Sequence, residues 1–132
     1  MTELYDLSAR ELGHAYRNRS LSPVEVVQAV LGHMARWEPH LQATYLLRPD
    51  LALEQARASE ARWQRGESHG ALDGVPVTIK DNIATRGDPV PLGTAAVDLV
   101  AAGTDAPPAA RLREAGAVIV CKTTMPDYGM LS

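Results

Sequence analysis

The order of elements in the sequence predicts an α/β fold: a mixed β-sheet sandwiched by helices, with helices first and then strand, loop, helix and strand. Three observations carry this. Residues 1–70 are mainly helical, with three amphipathic patterns, two of them opened by a capping signature. At Leu72 the character changes, and Gly, Pro and β-branched residues displace the helical periodicity. Ala117-Val118-Ile119-Val120-Cys121 is apolar throughout, as expected of a parallel strand buried on both faces. Layered helices and strands in this order favour an α/β sheet over a bundle.

The first helix starts behind Ser8, whose S-x-x-E box with Glu11 lets each side chain satisfy the other's free backbone N–H. It is expected to run to about Asn18, with Leu12 and Tyr16 on one face. Ser22 caps the second, Pro23 suits its first position, and Glu25 closes the box. Val26, Val27, Val30, Leu31 and Met34 form its apolar stripe, and Pro39 is expected to end it. Ala43 to Leu47 reads as a strand. Asp50 is expected to cap a third helix that stops at Gly66, with Ala52, Leu53, Ala56 and Trp63 on one side.

Pro76 to Ile79 reads as the next strand, and Lys80-Asp81-Asn82 as the turn at its carboxyl end. The irregular stretch that follows, with Gly87, Pro89, Pro91 and Gly93, is of the length that lines a site or stays disordered. Asp105 is expected to cap a helix that tolerates Pro107 and Pro108 in its first turn, faces Leu112 and Ala115 inward and ends at Gly116.

The composition excludes several classes. A chain of 132 residues with net charge −3 and scattered arginines offers no clustered basic face for nucleic acid or an anionic membrane. Met1-Thr2-Glu3 opens with an acid and no apolar run follows, so no signal peptide is expected, and the longest apolar run is far too short to cross a bilayer. One cysteine excludes an internal disulfide, so a cytoplasmic location is expected. His14, His33, His40 and His69 show no metal-ligand spacing, and the glycines of 87–93 form no phosphate-binding loop. Neither a metal nor an organic cofactor is expected.

Lys80 is the residue with chemical potential. It follows an apolar strand at the carboxyl end, where α/β folds place their sites. Burial there would lower its pKa from a reference of about 10.4 and make it a base. A solvated surface lysine is the alternative on spacing alone. Asp81 and Asn82 are expected to orient the turn that presents it.

The string Leu72-Asp73-Gly74-Val75-Pro76-Val77-Thr78-Ile79-Lys80-Asp81-Asn82 resembles the L-x-G-[IV]-P-x-x-[IV]-K-D-N block of the amidase signature family. The likeness continues through Gly93-Thr94, the segment Asp105 to Lys122, and Thr123-Thr124-Met125-Pro126-Asp127-Tyr128-Gly129-Met130. Cys121 and Thr124 depart from the usual glycine and asparagine. The resemblance implies that residues 1–132 are the amino-terminal part of a single amidase domain. It implies hydrolysis of a small-molecule carboxamide to acid and ammonia or amine through a serine acyl-enzyme. Lys80 is then the catalytic lysine of a Ser–cis-Ser–Lys triad, relaying a proton through the bridging serine. The G-G-S-S-G-G segment and the nucleophilic serine do not occur in the sequence, so this chain alone is expected to be inactive.

The resemblance implies that Ser132, in a stretch bordering the substrate pocket, offers a hydroxyl to the substrate amide; a frayed terminus is the alternative. Cys121 and Lys122 invite a second enzymatic reading, since nitrilase-type amidases use Cys, Glu and Lys; a buried, inert cysteine is the alternative. Two other functions stay open: a glutamine-hydrolysing subunit of a tRNA-dependent amidotransferase, and a non-catalytic truncated or split chain that needs a partner. A sheet cut after Ala117 to Cys121 is expected to leave an unpaired edge and an apolar face, favouring a homo-oligomer or a carboxyl-terminal partner chain.

Overall fold

The structure, a computed structural model, describes residues 2–130. A 3₁₀ turn at Leu4–Asp6 precedes α1 (Ala9–Arg17), α2 (Pro23–Leu41), β1 (Thr44–Leu47), α3 (Pro49–Arg65), β2 (Pro76–Lys80), α4 (Pro107–Glu114) and β3 (Val118–Thr123). A second 3₁₀ turn spans Asp127–Gly129. The sheet is mixed, in the order β1-β3-β2. β2 and β3 are parallel and joined through α4, whereas β1 runs antiparallel to β3. Buried β3 is therefore the central strand. The open edges expected next to it lie on β1 and β2 instead, because Thr44–Leu47 pairs with the far side of β3.

Both capping boxes form. The Ser8 amide donates to Glu11 at 2.8 Å and Ser22 repeats the arrangement with Glu25. Three expectations are corrected. α2 continues through Pro39 to Leu41. Pro39 lies in the last turn, which still closes on Gln42 N–H donating to the Glu38 carbonyl. Asp50 does not cap α3; Pro49 already occupies the first helical position and Asp50 lies within the first turn, where its charge still favours the helix. Asp105 does not cap α4 either, since Ala106 holds that position and the Asp105 carboxylate turns to the loop.

One core cluster joins α2, α3 and β3 through Val27, Ala52, Ala56, Val118, Val120 and Cys121. Another packs Leu12 and Tyr16 of α1 on Val26. Between α2 and the sheet an apolar groove of about 700 Å³ stays open, lined among others by Val30, Met34, Trp37, Val77 and Thr78.

The segment leading into β2 is fixed from three sides. Tyr16 donates to the Gly74 carbonyl, Trp63 to the Asp73 carbonyl, and the Gly74 amide to Gly116. Gly74 sits so close to α2 and α3 that a Cβ would fall 2.7 Å from the Ser59 hydroxyl and 2.8 Å from Pro23. The Asp73 carboxylate, fully buried, accepts from Ser59, both arms of Arg62 and the His69 amide.

Candidate active site

β2 ends at Lys80, and the chain turns at once: the Ile83 amide donates to the Lys80 carbonyl at 3.0 Å. Asp81 ties the turn back to the sheet, its amide donating to the Thr123 carbonyl at 2.9 Å. Its buried carboxylate accepts from the amides of Leu92 and Gly93, both at 2.9 Å. Asp81 thus orients the turn as the sequence suggests, and it also anchors a loop eleven and twelve residues away. Gly93 presses against residues 125–126; a Cβ there would lie 2.4 Å from the Met125 carbonyl and 2.6 Å from that of Pro126.

The long stretch after β2 is ordered by its own pairings. Gly87 donates to Ala102, Ala102 to Asp88, Ala106 to Ala84, and the Arg86 amide to Asp105. Asp88 accepts from Thr85 at 2.6 Å and pairs with Arg48 at 2.8 Å. Tyr45 donates to the Pro89 carbonyl, and burial, with Asp81 and Asp88 nearby, pushes its phenol up to about 12. A cleft of about 550 Å³ opens beside this loop, lined in part by Tyr45, Asp81, Gly93, Thr94 and Met125.

Lys80 itself is exposed. Among the described residues its ammonium joins no hydrogen bond or ion pair. It shares a sheet face with Thr78, which lines the apolar groove, because residues two apart on a strand point the same way. The burial expected at Lys80 falls on Lys122 instead. Lys122 is 2% exposed in β3, and its ammonium donates to the Ile83 carbonyl. Burial pulls its pKa below the ordinary lysine range, and the carboxylates of Asp88, Asp81 and Asp105 oppose that pull. Of the 13 lysines and arginines, only these two are lysines. They occupy the ends of neighbouring parallel strands, a signal that the sequence carried.

Cys121 is buried in the core cluster. Burial, with Glu38 adding to it, raises its thiol to about 11, so it stays protonated and inert at neutral pH. The cysteine-nucleophile reading therefore loses its reactive group. Ser132 lies outside the described residues. Among the described residues no three His, Cys, Asp or Glu side chains gather to hold a metal ion, and no helix is long and apolar enough to cross a membrane.

Residues 25–132 match the amidase family. The chain belongs to that family. A glutamyl-tRNA(Gln) amidotransferase subunit of Thermobifida fusca is 41% identical over 130 residues, 98% of this chain and 26% of that protein. The corresponding subunit of Carboxydothermus hydrogenoformans is 36% identical over 128 residues, 97% of this chain and 26% of the relative. Among solved structures, the peptide amidase of Stenotrophomonas maltophilia superposes with a TM-score of 0.85 at 29% identity, over 93% of this chain and 26% of the peptide amidase. A bacterial aryl acylamidase of the amidase signature family gives 0.84 at 29% identity, over 95% and 26%. The chain thus spans about a quarter of the length of the relatives it matches.

Proposed function

We propose that this amidase-family chain takes part in hydrolysis of a carboxamide C–N bond and supplies the lysine, Lys80, of a Ser–cis-Ser–Lys triad. The observation that carries the reading is the presentation of Lys80. The block Leu72 to Asn82 is braced at both ends by buried polar contacts, yet the ammonium near its end faces outward and unpaired among the described residues. A lysine that meets a serine brought by another segment must be free to do so, and this presentation leaves Lys80 free. In its neutral form Lys80 accepts the proton of a bridging serine, which in turn accepts that of the nucleophile. The acyl-enzyme forms as ammonia or amine departs, and water completes the hydrolysis.

Joining this chain to the serine-bearing remainder of an amidase domain tests the assignment. Lys80→Ala should lower kcat by about 10²–10⁴ while changing KM little, since a positioned base acts in the transition state. Lys80→Arg should fail nearly as badly, because a guanidinium stays protonated. Near-normal kcat in a folded Lys80→Arg enzyme would overturn the proton-transfer role.

The amidotransferase subunits among its relatives favour a narrower second reading, in which the amide is that of glutamine. Release of glutamate from glutamine, with no turnover of aryl amides, would select it.

A further inference from the structure

Lys122 raises a question that the proposed reaction leaves unanswered. A methionine at this position would fill the same space on β3 without burying a charge. The ammonium is nevertheless kept, 2% exposed, in a chain whose one other lysine is Lys80. Its hydrogen-bond partner is the Ile83 carbonyl, the last peptide of the turn that begins at Lys80. The next residue on β3, Thr123, receives the Asp81 amide through its carbonyl. Two successive residues of the central strand therefore hold the two sides of one turn.

The surrounding carboxylates are occupied elsewhere. Asp81 holds the amides of Leu92 and Gly93, Asp88 holds Thr85 and Arg48, and Asp105 holds the Arg86 amide and Arg113. All three act on Lys122 through their field. The positive charge is thus attached by one direct bond to a loop that carries Asp81, Asp88, Asp98 and Asp105.

We propose that Lys122 is a positioning residue for Lys80: its buried ammonium, bound to the Ile83 carbonyl beside the Asp81 amide held by Thr123, fixes the turn from which Lys80 projects. The catalytic meaning of this rests on the reading of Lys80 as the triad lysine; the mechanical claim does not. Lys80 and Lys122 lie on opposite faces of the sheet, because Lys122 pairs with Ile79 and Lys80 with Thr123. Lys122 therefore acts on the backbone of the turn, not on the Lys80 side chain.

The test uses the 132-residue chain with labelled lysine, whose two side chains give two assignable NMR signals. In Lys122→Met, amide exchange at Asp81, Ile83, Leu92 and Gly93 should speed by about tenfold or more, and the Lys80 side-chain signal should shift. Exchange at the α3 core residues Ala52 and Ala56 should change less than about twofold, since local opening need not involve the core. A uniform acceleration through core and loop, or an unchanged loop and Lys80 signal, would overturn the proposal by reducing Lys122 to a general stabiliser. Should Lys122→Met not fold, Lys122→Arg keeps the charge but replaces the single ammonium donor by a wider planar fork. Selective loosening of the same four amides supports the proposal there too, and a native exchange pattern overturns it. None of these measurements involves hydrolysis. Retained activity in Lys80→Ala would therefore dismiss the triad reading without touching this one.

Discussion

Asp73 is where the helical half of the chain meets the strand that carries Lys80. Its carboxylate accepts from Ser59 at 2.7 Å, from Arg62 at 2.9 and 2.6 Å, and from the His69 amide at 2.9 Å. Burial alone would raise its pKa, but these donors together outweigh it and hold the group below the ordinary carboxylate value of 3.8. A carboxylate with a depressed folded pKa contributes stability that is fully present above its unfolded value and lost as pH falls through the folded one. Asp73→Asn should therefore destabilise the chain at pH 7 by about 3 kcal/mol, the low end for a broken buried pair because Arg62 keeps some contact with water. As pH falls through the lowered folded-state pKa of Asp73 the gap between the two proteins should shrink, and urea melts at pH 7 and in acid check this. Capping serines could be read from the sequence because their partners sit three residues away. Asp73, Asp105 and Lys122 could not, since their partners lie up to 39 residues off and only the fold brings them close.

At the level of elements, periodicity and punctuation located α1 to α4 and β1 to β3 but neither 3₁₀ turn, because amphipathic stripes and Gly or Pro stops are local signals. Errors gathered at boundaries where a local rule met a tertiary contact, as when Asp105 left its helix to bind Arg86 and Arg113. The loop between β2 and α4 illustrates the limit further. Its length suggested a site, but its shape comes from Asp81 reaching Leu92 and Gly93 and from the fit of Gly93 against residues 125–126. Gly93→Ala tests that fit. With φ at +67° and backbone carbonyls 2.4 and 2.6 Å from the added Cβ, the loop must move. A cost of about 1–2 kcal/mol follows from the left-handed backbone alone, and the clash adds to it. Loss of protection at the Gly93 and Leu92 amides, with α1 to α3 intact, is the expected signature in hydrogen exchange.

At the scale of the whole molecule, the sheet edges on β1 and β2 and one apolar groove are left without a partner among the described residues. β2 presents an unpaired edge beside Lys80, and the groove between α2 and the sheet exposes side chains that elsewhere would be core, Trp37 at 46% and Leu41 at 65% among them. An open strand edge pairs readily and an apolar groove of this size is seldom left wet. The relatives are about four times longer, and on the proposed reading the remainder of an amidase domain covers these surfaces. The 132-residue chain on its own should therefore self-associate or bind an apolar dye, and on the proposed reading it should hydrolyse neither nitroanilides nor simple carboxamides above the buffer rate, because the proposed triad without its nucleophile is disabled as a unit. Supplying the serine-bearing remainder as a separate polypeptide should convert self-association into a defined complex and bring turnover that Lys80→Ala abolishes. Sedimentation velocity across a range of concentrations reads the first part. A compact monomer that binds no dye at high concentration would mean that the groove is closed by this chain itself. In that case the segment would be a self-contained domain, and its lysine would have to be explained without serines from elsewhere.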